Sequence, residues 1–254
     1  MTDPCEPDYT ALGGGAKAKQ RGERNPVSGF DIEKVPADKV EFVEMLNDCL
    51  ADLRQRARSS VRAKDPSSVP KLVWKIEVFE QALIHRAIAL TEGACNAWNN
   101  DNGLAAIILA RAVLETAAIG WDTVGRLRPM IEVRDTNGAS ELLDFRAFAS
   151  RIPDWIEEVD QATNVLTLIE RMGRDLAGGK DELLKRYAVL SDISHPNYVG
   201  HMGLFGKADR DNAKWKFDMD HALQPAFFAQ ATVGLTGVAV LYRVIGDLRE
   251  HQAR

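Results

Sequence analysis

The chain has 254 residues, 45% of them hydrophobic and 27% charged, with a formal net charge of −5 at pH 7. This length and apolar content are enough to bury a sizeable core, which excludes a wholly disordered chain. The negative net charge excludes a general electrostatic attraction to nucleic acid or to an anionic membrane, so binding to either would need a local basic patch.

The three cysteines, Cys5, Cys49 and Cys95, are widely spaced. Their odd number and spacing match neither a disulfide framework nor a zinc site, so we expect a reducing cytoplasm, no metal and no cofactor. The first residues contain no apolar segment typical of a secretory signal, and the longest nearly apolar run, residues 231–242, is too short to cross a bilayer. We therefore expect a cytoplasmic chain without membrane insertion.

Two regions are distinguished by composition. Residues 1–35 are rich in Pro, Gly, Lys and Arg and have little apolar periodicity, which predicts a mobile N-terminal arm. Residues 36–254 alternate long helical patterns with turn signals. We expect this second region to form a single all-α domain, a bundle of long antiparallel helices.

The first predicted helix opens at Pro36 and ends in positive charge. Arg54, Arg58 and Arg62 lie four residues apart, so a continuous helix would place them on one face. That face would be a candidate binding site for phosphates. The alternative is a solvated helix end whose charges interact favourably with the helix dipole, since no aromatic residues interleave for base stacking.

Two long helices are expected next. The second ends near Trp98 and is strongly amphipathic, with His85 away from its apolar stripe. Asn102 is predicted to cap the third helix, which extends to about Glu132. Apolar side chains surround almost the whole circumference of this third helix, which indicates a central and buried position.

Charged side chains of the third helix lie along one line on its surface. Arg111, Glu115 and Asp122 share this narrow meridian. One interpretation carries them into the interior, where Arg111 and Glu115 would pair because an unpaired buried charge is costly. The other makes the meridian the only solvent-facing strip of the helix. The sequence leaves both interpretations open.

The middle of the chain is interpreted as scaffold. Asn137 and Gly138 predict a turn over residues 134–140. Helical segments are expected at residues 142–149 and 155–172, and neither contains a catalytic motif.

Helix punctuation and reactive side chains coincide near residue 190. A helix that starts at Asp181 is expected to end at Pro196, which places His195 at its C-terminal edge. Tyr187 and Ser191 are expected near the same face, so three proton-bearing groups would converge. The alternative is that His195 is only a helix stop whose ring bonds a nearby carbonyl.

The last part of the chain combines a polar segment with a long helix. Residues 207–218 predict an irregular loop or a short hairpin in which Trp215 and Phe217 alternate with lysines. The final helix begins near Asp220. Its small residues Gly234 and Gly237 favour close packing, either within the monomer or across a homodimer.

Two segments resemble a known superfamily. The sequences ARAVLETAA at residues 110–118 and YAVLSDISHPN at residues 187–197 are similar to those of bacterial helical proteins related to the HEPN superfamily. The resemblance implies a helical bundle, often dimeric. It also implies a link to defence or toxin systems, in which several members are metal-independent endoribonucleases and others bind nucleotides or protein partners. Active members carry an Arg followed after four to six residues by a His, whereas eight residues separate Arg186 from His195.

The resemblance also implies roles for particular residues. If the activity extends to this chain, His195 would be the general acid/base and Arg111 the electrophilic partner. Glu115 would orient Arg111, and Tyr187 or Ser191 would contribute hydrogen bonds. In the turn after the helix, Asn197 is a further candidate binding residue.

Two functions therefore stand side by side. The first is a non-catalytic interaction or binding module, in which Arg111, Glu115 and His195 form a buried polar network. The alternative is a metal-independent endoribonuclease that uses His195 and Arg111. The acidic charge and the altered Arg–His spacing favour the module. The expected partners are a second copy of the chain, RNA or a nucleotide, and a protein that the sequence does not identify.

Overall fold

The computed structural model describes residues 29–62, 71–148, 163–176, 179–209 and 211–252. Most of the predicted N-terminal arm, residues 1–28, therefore lies outside the described residues. The same holds for residues 149–162, which include the start of the segment predicted at residues 155–172.

Helices form most of the described structure, and the only sheet described there has two short strands, which confirms the predicted all-α bundle. Short 3₁₀ turns precede the first α-helix and the last one, and a π-helical turn, Val199–Gly203, follows the sixth. The α-helices of the described residues are α1 Val40–Arg56, α2 Lys71–Asn99, α3 Gly103–Glu132, α4 Thr136–Phe148, α5 Val165–Asp175, α6 Gly179–Ser194 and α7 Pro225–Gln252.

The third helix is the centre of the bundle, as its apolar circumference predicts. It packs against α2, α4, α5, α6 and α7. The Asn102 side chain caps it by accepting a hydrogen bond from the amide of Ala105 at 3.1 Å. Buried apolar side chains from α1 through α7 together form the hydrophobic core around it.

The third and seventh helices pack most extensively and run in the same direction. Ala110 lies against Gly234, Leu114 lies against Gly237, and near the far ends Arg128 donates to Asp247. Later positions of α3 thus meet later positions of α7. By contrast, α2 and α3 are joined by a short turn and are antiparallel. The small-residue face of α7 therefore packs within the monomer.

Both of these core helices are long and apolar. By length and composition alone, Gly103–Glu132 and Pro225–Glu250 could cross a membrane, with mean hydropathies of 1.7 and 1.4. In each helix, 56% of the apolar 18-residue stretch is buried inside the protein. A buried core helix of a soluble protein can have the same length and apolar composition. The expected lack of membrane insertion stays a prediction.

The turn predicted at residues 134–140 is shorter than expected. The chain reverses at residues 133–135, where Arg134 has a φ of 57°, and α4 already begins at Thr136. The Asp135 carboxylate accepts a hydrogen bond from the amide of Gly138 at 2.9 Å. This side-chain bond satisfies an unpaired amide in the first helical turn, so Asn137 and Gly138 are helical.

A short hairpin precedes α7, as one of the two expectations for this segment predicted. Its strands are β1 Gly206–Asp209 and β2 Lys214–Phe217. They pair antiparallel, with Gly206 opposite Phe217 and Ala208 opposite Trp215. Because side chains alternate along a strand, these four residues share one face of the ribbon.

Candidate functional site

Two neighbouring charges of α3 meet a tyrosine of α6 in a closed polar triangle. Arg111 donates from Nε to Glu115 Oε1 at 2.9 Å and from a terminal guanidinium nitrogen to the Tyr187 hydroxyl oxygen at 3.1 Å. The Tyr187 hydroxyl in turn donates to Glu115 Oε1 at 2.6 Å. The guanidinium also lies 5.3 Å from the centre of the tyrosine ring. These contacts join α3 to α6.

The triangle lies at the edge of the core. Tyr187 is buried, while the side chains of Arg111 and Glu115 retain 22% and 25% of their exposure. Burial and the hydrogen bond to Glu115 raise the pKa of Tyr187, so its hydroxyl stays protonated as a donor. Burial acts to lower the pKa of Arg111, but the hydrogen bond to Tyr187 and the charge of Glu115 outweigh it and raise that pKa.

Asp122, the third charge of the meridian, is fully inside. Both of its oxygens accept charge-assisted hydrogen bonds, one from Arg146 of α4 and one from Arg171 of α5 at 2.8 Å. The side chains of Asp122 and Arg146 are each 4% exposed. Burial, with Arg126 and Arg171 nearby, lowers the pKa of Arg146 even though Asp122 opposes the shift. The structure therefore favours the interior interpretation of the meridian.

The structure places His195 outside the triangle. Its ring is exposed just beyond the end of α6, and its amide donates to the Ser191 carbonyl oxygen at 3.1 Å. Tyr187 precedes it by eight positions, about 12 Å along a helix that rises about 1.5 Å per residue. Within the described residues, no side-chain hydrogen bond joins His195 or Ser191 to Arg111 or Tyr187. The expected buried network that included His195 is wrong, because His195 is exposed to solvent.

Asn197 stabilises the turn after α6. Its side-chain nitrogen Nδ2 donates to the Asp192 carboxylate, and its side-chain oxygen Oδ1 accepts from the backbone amide of Gly200 at 2.9 Å. Both ends of the side chain are therefore used locally. These hydrogen bonds hold the turn that ends α6. A ligand bound by the Asn197 side chain would have to replace one of them.

The arginines predicted to line one helix face do not do so. The first helix ends at Arg56, because the backbone of Ala57 is extended. Arg58 and Arg62 therefore lie beyond the helix. Arg54 pairs with Glu92 at 2.8 Å. Arg58 lies 3.9 Å from a Glu77 oxygen, and Arg62 is exposed. The expected phosphate-binding face is therefore not formed as a helical row.

A hollow at the surface, with a volume of about 430 Å³, lies where α1, α5, α6 and α7 meet. Its charges are already paired, Lys39 with Asp38 at 2.9 Å and Arg186 with Glu182 at 2.8 Å. The Thr236 hydroxyl in its wall donates to the carbonyl of Val233 in its own helix. The charged side chains and the Thr236 hydroxyl that line the hollow thus have partners within the protein. Among the described residues, no group of three or more His, Cys, Asp or Glu side chains could hold a metal ion.

Three apolar side chains at alternate positions of the hairpin and the turn after it are exposed. Trp215, Phe217 and Met219 are 42%, 67% and 68% exposed. We call these three residues the hairpin patch. Tyr198, which directly precedes the π-helical turn beside β1, is exposed as well. The alternation of Trp215 and Phe217 is visible in the sequence, but sequence reasoning gave it no function.

Comparisons with protein-family models, curated proteins and solved structures find no significant match to this chain. The resemblance to HEPN-like proteins therefore stays a prediction.

Proposed function

We propose that the chain is a non-catalytic helical interaction module, related to HEPN-like proteins of defence or toxin systems, and that it binds a protein partner through the hairpin patch. The exposure of Trp215, Phe217 and Met219 carries this proposal. Aromatic residues and methionine are enriched where proteins bind one another, and large apolar groups clustered on a surface mark such contacts.

The small amount of packing around the hairpin supports the proposal. An isolated two-stranded hairpin is at best marginally stable in water, because a sheet needs further strands or a packed face. Residues 211–220 are all exposed, and apart from β2 the main packing partner of β1 is the neighbouring turn Val199–Gly203. A partner that covers the patch would supply the missing packing.

The hydrogen bonds of the polar triangle support the proposal that the module is non-catalytic. Arg111, Glu115 and Tyr187 direct their hydrogen bonds at one another. A substrate phosphate would have to displace Glu115 or Tyr187 from the arginine. The triangle is best explained as a polar connection that fixes α6 against the central helix.

The alternative function is a metal-independent endoribonuclease with His195 and Arg111. The solvent exposure of His195 and the motif resemblance favour it. Its chemistry would require these two residues to act on the same phosphate, although no contact brings them together.

Site-specific photocrosslinking tests the proposed function. A photoreactive benzoylphenylalanine at Met219 is compared with the same group at Leu166, an exposed residue of α5. After irradiation in cells, we expect one dominant protein adduct from position 219 and none from position 166. The additional variant Trp215→Ser should reduce the adduct at 219. Equal labelling at both positions, or no protein adduct at 219, would contradict an interaction surface at the hairpin.

A further inference from the structure

We propose that the partner of the hairpin patch is a second copy of this chain, with the two β2 strands pairing antiparallel about Phe217. This inference rests on the proposed function, since it names the occupant of the same surface. It is carried by the open edge of the hairpin and by the order of charges along it.

The outer edge of β2 has unpaired main-chain groups. The amide of Asp218 donates to the carbonyl oxygen of Phe205 at 2.9 Å, which directs the main-chain groups of Asp218 toward the β1 side. Main-chain directions alternate along a strand, so Trp215 and Phe217 present their N–H and C=O groups to the opposite side. The described sheet has only two strands, and this edge is therefore free to accept a third.

The sequence along this edge is self-complementary. Residues 214–220 read KWKFDMD, with lysines before Phe217 and aspartates after it. In an antiparallel pair centred on Phe217, Lys216 faces Asp218 of the second copy. Trp215 faces Met219, and Lys214 faces Asp220. Every positive side chain then faces a negative one, and every apolar side chain faces an apolar one, which stabilises cross-strand pairs.

Other registers lose this match. Centring the pair on Lys216 would place two lysines opposite each other, and centring it on Asp218 would oppose two aspartates. A centre between two residues would place charged side chains opposite apolar ones, because a one-residue slip reverses the faces. The register about Phe217 is also compatible with its outward N–H and C=O groups, which can bond to the same groups of the other copy.

The charges remain available for this pairing. Lys216 pairs with Asp209 within the hairpin at 3.0 Å, yet its side chain is 60% exposed, and an ammonium group has three donors. The Asp218 carboxylate accepts only a backbone amide, that of Asp220, at 2.9 Å among the bonds found. The two outer pairs, which involve Met219 and Asp220, require the 3₁₀ turn Met219–Leu223 to extend at its first residues, whereas the pair of Lys216 with Asp218 does not.

The expected result is a four-stranded sheet with the order β1, β2, β2, β1. Four strands with apolar side chains on one face satisfy the packing that a lone hairpin lacks. Pairing of two short strands buries less than a standard interface, so the dimer should be weak and reversible. Analytical ultracentrifugation should therefore show a monomer–dimer equilibrium at protein concentrations up to about 1 mM.

A charge-swap experiment tests the register. Lys216→Asp alone and Asp218→Lys alone should each weaken dimerisation at least about tenfold, since like charges then face each other twice in every dimer. An equimolar mixture of the two variants should recover wild-type dimerisation, because both facing pairs become opposite in sign. Lys185→Asp, an exposed substitution on α6 that changes the net charge as Lys216→Asp does, is the control and should have no effect.

Three outcomes would overturn the self-pairing. The first is a wild-type chain that stays monomeric over the whole concentration range. The second is dimerisation that the single variants leave intact. The third is a mixture of variants, shown by circular dichroism to be folded, that does not recover dimerisation. If the wild type is monomeric while position 219 crosslinks to a different protein, the interaction module stands and only self-pairing fails. If position 219 crosslinks to nothing, the proposed function itself fails.

Discussion

Gly234 of α7 lies so close to Ala110 of α3 that a methyl group at position 234 would come within 2.5 Å of the Ala110 carbonyl carbon. The nearest atoms belong to the backbone, which cannot rotate away as a side chain can. The absence of a side chain at Gly234 therefore sets how closely the two central helices approach.

Gly234→Ala should destabilise the protein by about 1 to 3 kcal/mol or more, since overpacking forces the helices apart. Gly246→Ala is the matched control in the same helix, because a methyl group there meets nothing within 4 Å. That control should be neutral or stabilising by up to about 1 kcal/mol, because alanine has a higher helix propensity than glycine by about this amount. Urea denaturation measures both, and equal effects would contradict the close packing.

Asp122→Asn should be among the most destabilising substitutions, costing about 3 to 5 kcal/mol. It leaves the buried guanidinium of Arg146 without its counter-charge, and Arg146 Nε already has no partner. The control is Glu182→Gln, which breaks an exposed pair with Arg186 and should cost less than about 1 kcal/mol. A loss for Asp122→Asn no larger than the control's would show that the cluster is hydrated.

Tyr187→Phe should lower stability by about 1 to 3 kcal/mol near neutral pH, because it removes the hydroxyl that Arg111 and Glu115 share. Tyr198→Phe, at an exposed position, should have almost no effect. The pH dependence is a separate signature. The raised pKa of Tyr187 means that the folded protein keeps this proton above about pH 10, where the unfolded chain loses it.

Stability should consequently fall as pH rises from about 10 toward the folded pKa of Tyr187. Tyr187→Phe should remove this component of the slope. Chemical denaturation between about pH 9 and pH 11 measures it. The same alkaline slope in wild type and variant would place the tyrosine proton outside the network.

Cys95 should resist alkylation in the folded protein. Burial raises the pKa of its thiol to about 12, so the reactive thiolate is scarce and inaccessible. Burial also raises the pKa of Cys49, but this residue is only partly covered and should react before Cys95. Iodoacetamide labelling followed by peptide mass spectrometry measures the order, with labelling in urea as the control. Equal native rates for the two thiols would contradict the burial of Cys95.

RNA cleavage separates the two proposed functions. In EDTA, wild-type protein should not cleave structured or single-stranded RNA above the protein-free level. His195→Ala should also change stability by less than about 0.5 kcal/mol, because its ring is exposed. Cleavage by the wild type that disappears in both His195→Ala and Arg111→Ala would instead establish the endoribonuclease.

The grouping of site residues could be predicted only in part from helical spacing. Arg111 and Glu115 are one turn apart on α3, and their pairing follows from that spacing. Their contact with Tyr187 was expected only through the resemblance, since helical spacing is silent on contacts between helices. His195 was grouped with Tyr187 because both were expected near one face of α6, and with Arg111 through the resemblance. Position along a helix does not tell how deep a side chain lies.

The arginines after α1 show a related limit. The prediction of one basic face required the helix to continue to Arg62, whereas it ends at Arg56. Long-range bonds fix the chain after that end. The amide of Arg58 donates to Gln81 at 2.7 Å, and its carbonyl oxygen accepts from His85. These partners belong to another helix, so local propensity could not identify the end.

The sequence by itself determined the all-α class, the central position of α3 and its Asn102 cap, and it offered the hairpin before α7 as one of two alternatives. Each of these depends on local periodicity, capping or turn chemistry, which neighbouring residues carry. Only the tertiary structure decided that α7 runs parallel to α3, that Asp122 is buried and that the hairpin patch is exposed. Burial depends on which helix covers a given face, and that choice is made by packing between residues far apart in the chain.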